Sequence, residues 1–203
     1  MKTKRDIRRA DLKARLTAAA EERIKSSGLA GLRARDITAD AGCALGALYT
    51  AFEDLDDLVL HLNSATLARL GRALSEEVVR TAEPRARLKG LARAYSSFAR
   101  DNPTLWAALF EHRMTSGAPV PEWLIAEQAV LIQILVEPLA RLRPALGKTD
   151  LLARARTLFS AVHGIVAISL ENRFIGLAPS DLDAELLRFV EVMVTGIENT
   201  PET

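Results

Sequence analysis

The side chains that most often carry out catalysis are few and far apart in this chain of 203 residues. Its three histidines are His61, His112 and His163, and its one cysteine is Cys43. No pair of them has the spacing of a metal site, and no glycine-rich phosphate loop or nucleophile motif is present. We therefore expect no enzyme, no cofactor and no metal site. Cys43 could act as a thiol redox switch, but a small apolar filler is favoured because free cysteines are usually buried.

Basic side chains are concentrated at the N-terminus. Residues 1–52 carry eleven Lys and Arg against six Asp and Glu, a net charge of +5, which leaves −4 for the rest of a chain whose total is +1. A positive segment on a mildly acidic protein indicates a polyanion site at one end. The run "KTKRDIRR" at residues 2–9 could enter a minor groove or follow a nucleic-acid backbone. It could also be a merely solvated tail.

The composition predicts an all-α fold of about nine helices. Apolar residues make up 49% of the chain and aromatic residues only 5%, and Ala, Leu, Arg and Glu dominate. Helical spacing of apolar residues predicts helices over residues 6–26, from 34 or 35 to 41, and over 44–52. Gly42 is placed to take the left-handed conformation that ends the second helix. Three helices with such a turn indicate a helix-turn-helix.

The remaining chain reads as one long helix followed by five more. The acidic run "EDLDD" opens the long helix, and residues 81–84 break it. Further helices are predicted over residues 85–101, 104–114, 121–144, 149–174 and 180–198, with Thr149 or Asp150 and Ser180 as N-caps.

Neither a signal peptide nor a membrane span is predicted. No apolar segment follows the N-terminus in the manner of a signal peptide. The most apolar stretch, residues 123–139, is interrupted by Glu and Gln and is expected to be too polar to cross a membrane. A single cysteine excludes an internal disulfide. We expect a cytoplasmic protein.

The segment over residues 15–58 resembles the DNA-binding domain of the TetR/AcrR family of transcriptional regulators. The run "AGCALGALYTAF" at residues 41–52 stands where that family has its turn and recognition helix. The matching residues are Ala19, Ala20, Gly28, Ile37, Ala41, Gly42, Gly46, Leu48, Tyr49 and Phe52. Further along, "YSSFARDNPTLWAALFE" and "LFSAVHGIVAI" resemble the subgroup with a Trp-His-Gly ligand domain, with Val162 in place of the Trp.

The resemblance implies a helix-turn-helix DNA-binding domain over residues 1–58 and a larger helical ligand-binding and dimerisation domain over residues 59–203. It implies a homodimer that binds a double-stranded DNA operator through successive major grooves. A small apolar effector would release it, so we expect a transcriptional repressor. The alternative is a helical sensor or protein-interaction module with weak, non-specific or lost DNA binding. The acidic "EDLDD" motivates that alternative, as does Leu55, which stands where the family commonly has a phosphate-binding Lys.

The predicted recognition helix has few groups that can hydrogen-bond to bases, so we expect it to pack against thymine methyls and to bring its backbone close to DNA. Tyr49 could reach a phosphate or pack under the first helix. Gly46 could permit close approach or tight packing on that helix. Arginines of the second helix would then supply charge. The residues expected to contact DNA are Arg33, Arg35, Thr38, Ala44, Leu45, Gly46, Ala47, Tyr49 and Thr50.

Aromatic residues are concentrated in the C-terminal part, where the resemblance implies a mostly apolar small-molecule site. Any one of them could equally be ordinary core, and His163 could be a hydrogen-bonded core histidine. The candidate ligand-binding residues are Phe98, Trp106, Phe110, Trp123, Phe159 and His163.

Overall fold

The structure is a computed structural model that describes residues 3–115, 117, 119–171 and 175–199. Over these residues the chain forms nine α-helices and one short 3₁₀ turn, with no strand, as the composition predicts. The helices are α1 (Lys4–Ser27), α2 (Ala34–Asp40), α3 (Leu45–Ala51), α4 (Leu55–Arg80), α5 (Pro84–Asp101), α6 (Pro103–Glu111), α7 (Glu122–Leu142), α8 (Lys148–Leu170) and α9 (Leu182–Asn199).

The chain divides into two compact units, each built from two stretches of sequence. We call the first the head, which comprises Met1–Ala68 and Asn102–Leu124. We call the second the body, which comprises Arg69–Asp101 and Ile125–Thr203. The functional boundary after residue 58, inferred from the resemblance, stays a prediction.

The head is organised around one apolar core. The inward stripe of α1 includes Leu16 and Ile24, both fully buried, and it packs against Ile37 of α2 and Leu48 of α3. Leu105 and other residues of α6 belong to the same core. Helix α6 is therefore part of the head, although it follows α5 of the body in the chain.

In the body, α5 packs along α9. Arg85, near the start of α5, forms an ion pair with Glu191 at 2.8 Å, and it also binds Glu198. Farther along α5, the buried Ser96 donates its hydroxyl to Asp183 at 3.1 Å. The partners on α9 run backwards as those on α5 run forwards, so the two helices are antiparallel.

The ends of two helices differ from the sequence prediction. Helix α1 begins at Lys4 because Thr3 and Asp6 form a capping box, in which the Asp6 N–H donates to the Thr3 hydroxyl and the Thr3 N–H donates to the Asp6 carboxylate. Helix α8 has Gly147 as its N-cap, with no side-chain hydrogen bond. The predicted caps Thr149 and Asp150 are thus wrong, since both lie inside the first turn.

Two further predictions concern the start of α9 and the end of α8. Helix α9 begins at Leu182, two residues after Ser180, so the predicted cap Ser180 is wrong. The predicted end of the preceding helix falls on residues 172–174, which lie outside the described residues.

Two helices, α7 and α8, are long and apolar enough to cross a membrane by length and composition alone. The Glu and Gln residues of α7 therefore do not make it too polar for such a span, contrary to the expectation from sequence. Core helices of ordinary folded proteins have the same length and composition, so the finding is weak evidence for a membrane.

Candidate nucleic-acid interface and ligand cavity

Helices α2 and α3 are joined by a tight turn. Gly42 has a φ of 64°, the left-handed conformation predicted for it. The N–H of Cys43 donates to the carbonyl oxygen of Thr38 at 2.9 Å, which closes the turn. Cys43 is half-buried and packs against the apolar core of the head, in agreement with its interpretation as an apolar filler.

Two arginines of α1 hold this motif in place. Arg23 donates two hydrogen bonds to the Asp40 carboxylate, at 2.6 Å and 3.0 Å, and these lower the pKa of that carboxyl below its usual value. Arg15 donates from Nη1 to the carbonyl oxygen of Ala41 at 2.8 Å. Both arginines were counted in the positive N-terminal segment, but in the structure they position α2.

Helix α3 presents a weakly polar face to solvent. Leu48 and Ala51 point into the core, whereas Tyr49 is 56% exposed and Leu45 is 38% exposed. The other expected contact residues of this region are exposed or, in one case, half-buried: Ala44, Gly46, Ala47 and Thr50. The structure therefore brings six of the predicted DNA-contacting residues together at one surface.

The structure bears on both open questions about α3. Tyr49 is exposed, so it does not pack under α1. A Cβ atom added at Gly46 would meet no atom within 4 Å. Packing within the head therefore does not require a glycine there, and the interpretation as a site of close approach to a ligand remains.

The predicted residues of α2 fall into two groups. Arg35 is exposed, and its guanidinium has no hydrogen bond or ion pair among the residues described. Arg33 donates to the carbonyl oxygens of Ala30 and Leu32, at 2.8 and 2.9 Å. Thr38 is only 2% exposed, and its hydroxyl donates to backbone carbonyls of its own helix. Because this side chain faces the core, we remove Thr38 from the candidate interface.

The acidic run at the start of α4 is largely engaged in local structure. Asp54 accepts the N–H of Asp57 at 2.7 Å, and the Asp57 carboxylate accepts the N–H of Glu53 at 3.0 Å. Asp56 is buried and accepts both the N–H and the hydroxyl of Thr115, at 2.7 and 3.2 Å. The carboxylates that the sequence places next to α3 are thus hydrogen-bonded within the head.

The run at residues 2–9, which by sequence could follow a nucleic-acid backbone, supplies the first turns of α1 from Lys4 onwards. A groove there is lined by backbone or side-chain atoms of two elements, α1 with the residue before it and α3. Its residues are Thr3, Arg5, Asp6, Arg8, Arg9, Leu12 and Thr50. The pattern "TKRD" could have revealed the helix start, since Thr and Asp three residues apart are typical of a capping box.

The body contains a small apolar cavity of about 30 Å³, room for about one water molecule. Its lining side chains are all apolar apart from the Tyr95 hydroxyl. That hydroxyl is hydrogen-bonded to Nδ1 of His163 at 2.8 Å. The His163 ring stacks on Phe159, which lines the cavity, with 5.9 Å between the ring centroids.

The candidate ligand residues do not converge on one site. Phe159 lines the cavity and His163 contacts two of its lining residues, but Phe98 is a buried residue of α5 outside the lining. The other three candidates, Trp106, Phe110 and Trp123, lie in the head. Tyr95 was not among the candidates, because nothing in its local sequence shows its distant partner.

Comparisons with known proteins agree on one fold. Residues 88–194 match the family described as tetracyclin repressor-like, C-terminal domain. The match does not confirm the Trp-His-Gly subgroup. A comparison with curated proteins gives no match.

Solved structures resemble nine-tenths or more of the chain. A protein of unknown function from Rhodococcus sp. RHA1 is 26% identical, with a TM-score of 0.71 over 91% of this chain and 94% of that one. The TetR-family regulator SCO4454 from Streptomyces coelicolor is 18% identical, with a TM-score of 0.68 over 94% and 97%. The TetR-family regulator PfmR from Thermus thermophilus is 15% identical, with a TM-score of 0.63 over 91% and 99%.

Burial of two histidines predicts a loss of stability in acid. Desolvation lowers the pKa of His163, and it lowers the pKa of His112 despite the carboxylate of Asp56 nearby. Below about pH 6.5 the unfolded chain takes up protons that the folded histidines resist, so the free energy of unfolding falls as the pH falls. We expect His163→Gln to reduce this loss between pH 7 and pH 5, by up to about 1.4 kcal/mol for each unit of pKa shift removed. Urea unfolding at a series of pH values measures it.

The matched variant is His112→Gln, which should remove the part of the acid-dependent stability loss that comes from His112. The double variant should remove both parts. An acid dependence of His163→Gln as steep as that of the wild type would show that burial does not keep His163 neutral.

Proposed function

Because this chain belongs to the TetR family of transcriptional regulators, we propose that it is a homodimeric repressor that an uncharged apolar ligand releases from its operator. Regulation of transcription through DNA binding is the function common to the family. The proposal adds the dimer, the direction of regulation and the ligand. It also assigns the DNA contacts to the exposed face of α3 and to the free arginine of α2.

The observation that carries the proposal is the outer face of α3. The core residue Leu48 turns Leu45, Gly46 and Tyr49 towards solvent. A helix with such small side chains can come close to the floor of a major groove, where apolar atoms meet thymine methyls. The Tyr49 hydroxyl and the guanidinium of Arg35 are then the groups that reach phosphate.

The small apolar cavity supports the ligand class. A charged ligand would lose its hydration without finding a countercharge, because no lining residue that the structure describes is charged. Among those lining residues, the Tyr95 hydroxyl, bonded to His163, is the one polar side-chain group that can orient a ligand. Small-molecule sites usually measure hundreds of cubic ångströms, so binding must open the cavity. We propose that this expansion is the change that lowers DNA affinity.

Two side chains on the last two helices support a dimer. Val192 on α9 is 70% exposed and Ile168 on α8 is 39% exposed. In proteins that resemble this one the last two helices usually form the interface between subunits. A second subunit there would cover both side chains. We also propose that the protein acts in the cytoplasm and performs no catalysis, like the regulators that it resembles.

The second candidate function is a helical sensor or protein-interaction module without specific DNA binding. Glu53 favours it, since its carboxylate has no bonded partner within the described chain and lies between α3 and α4. The local bonds of Asp54 and Asp56 weaken this candidate, because they give both carboxylates a role in the structure of the head that needs no protein partner.

In vitro selection of duplex DNA from a random pool, at near-physiological salt, tests the proposed function. We expect an enriched motif with two-fold symmetry and half-sites about one helical turn apart. Such a motif is the result required of a dimer with one head in each of two successive major grooves. Absence of any enriched motif would favour the protein-interaction module.

The substitution Gly46→Ala should change DNA affinity and folding stability in opposite directions. The added methyl group meets nothing in the free protein, and alanine favours helix, so the free energy of unfolding should rise by about 0.5–1 kcal/mol. Affinity for the selected duplex should fall, because the methyl group occupies the space through which α3 approaches the bases. Chemical denaturation and fluorescence anisotropy of labelled duplex measure the two quantities.

The control for this variant is Gly71→Ala. Gly71 lies inside α4 and also has open space at its Cβ position. It should gain similar stability without any change in DNA affinity. If Gly46→Ala binds the selected duplex as well as the wild type, α3 does not approach DNA in the way proposed.

Filling the cavity should abolish ligand binding. Ala92 on α5 lines the cavity, and Ala92→Leu places three more carbon atoms in it. We expect the wild type to bind the uncharged apolar fluorophore N-phenyl-1-naphthylamine saturably, and Ala92→Leu to bind it at least tenfold more weakly. Ala94→Leu, on the same helix but outside the lining, is the matched control. Equal binding of the fluorophore by all three proteins would place the ligand elsewhere.

A further inference from the structure

We propose that Arg5, Arg8 and Arg9 of α1 form a phosphate-binding track that contacts the DNA backbone beside the half-site bound by α3. This inference rests on the proposed function and assigns to it a set of contacts outside the helix-turn-helix. The partner is the sugar-phosphate backbone of duplex DNA, recognised by charge and not by base sequence.

The first argument is the geometry of the N-terminal segment. The capping box of Thr3 and Asp6 fixes the segment as the first turn of a 24-residue helix. Positions 5, 8 and 9 are separated by three and four residues, so they share one face of that helix. A helix rises 1.5 Å per residue, and the three side chains therefore extend over about 6 Å of its axis. They form a fixed row of positive charge on a folded element.

The second argument is that these arginines are free to bind. Arg5, Arg8 and Arg9 are exposed, and none of their guanidinium groups has a hydrogen bond or ion pair within the described part of the chain. Two cations farther along α1 are engaged: Arg23 binds Asp40, and Lys25 binds both Glu21 and Glu22. The carboxylate of Asp6 attracts Arg9 without forming an ion pair with it, and Thr3 holds that carboxylate in the cap.

The third argument is their position next to α3. The groove lined by Arg5, Arg8 and Arg9 is also lined by Thr50 of α3. A duplex that meets α3 in its major groove presents its backbone on either side of the helix. The arginine row lies on one such side. Arginine is suited to this contact because its guanidinium can donate two parallel hydrogen bonds to one phosphate.

The track also explains a feature of the start of α4. Leu55 occupies the position where similar proteins commonly have a phosphate-binding Lys, and here it packs against the core of the head. The flanking Asp54 and Asp56 make that helix start a poor partner for phosphate. The α1 track supplies the missing positive charge from a different element.

The test is the salt dependence of DNA affinity, measured with the full-length chain on the selected duplex and on a scrambled duplex. The variant carries Arg5→Gln, Arg8→Gln and Arg9→Gln, because glutamine keeps the helix propensity and leaves the cap intact. The slope of log affinity against log salt should become shallower by roughly 0.9 for each phosphate that the variant no longer neutralises, hence by up to about 5 for the six phosphates of a dimer. The change should be the same on both duplexes.

Two controls make the result specific. Replacement of the same three arginines by lysine keeps the charge and should preserve most of the slope. The triple variant Arg72→Gln, Arg93→Gln and Arg113→Gln removes three exposed charges that have no ion pair among the described residues. It should leave the slope close to that of the wild type. Circular dichroism checks that all variants keep their helix content.

The outcomes separate the inference from the proposed function. If selection yields an operator but the glutamine variant keeps the wild-type slope, the track is wrong and the repressor stands. A slope lowered equally by the control variant would also overturn the track, because net charge alone would then account for the effect. If the wild type binds neither duplex, both proposals fail.

Discussion

The burial of one apolar stripe on α1 determines how the head can meet a ligand. Ile24 and Leu16 of that stripe are fully buried, and the two short helices of the motif are attached to it through Ile37 and Leu48. Helix α3 has only seven residues. One buried leucine near its centre therefore fixes its rotation, because successive side chains point about 100° apart around a helix. The outward direction of the neighbouring residues follows from this hydrophobic contact.

Some charged side chains of the head bind other residues of the head, and others remain free at its surface. The net charge of the N-terminal segment does not distinguish the two groups. Arg15 and Arg23 bind acceptors on α2 and in the turn after it, and Asp56 binds Thr115. Surface ion pairs of this kind add little to stability, but they set the orientation of the helices that they join. The arginines left over, on the first turns of α1 and at the start of α2, produce the positive potential that a polyanion would encounter.

The sequence predicts the elements well because helix periodicity and turn chemistry are local. The turn at Gly42 and the break at residues 81–84 are where the patterns place them. Prediction is weaker wherever a long-range contact decides. Trp106 was assigned to a ligand site with the later aromatics, yet α6 packs into the core of the head. Thr38 is one of the residues expected to contact DNA, yet packing of α2 within the head leaves it only 2% exposed. Neither packing is encoded in residue spacing.

The division of the head into two stretches of sequence bears on how such proteins can diversify. Residues 102–124 complete a core that begins with α1, and they are separated from it in the chain by α5 of the body. Exchange of an N-terminal fragment alone between two relatives would pair one protein's α1 with another's α6, and the apolar surfaces would no longer match. A recombinant with new binding specificity would need both stretches from the same parent. Point substitution on the exposed face of α3 avoids this restriction, so it is the simpler path by which specificity can change.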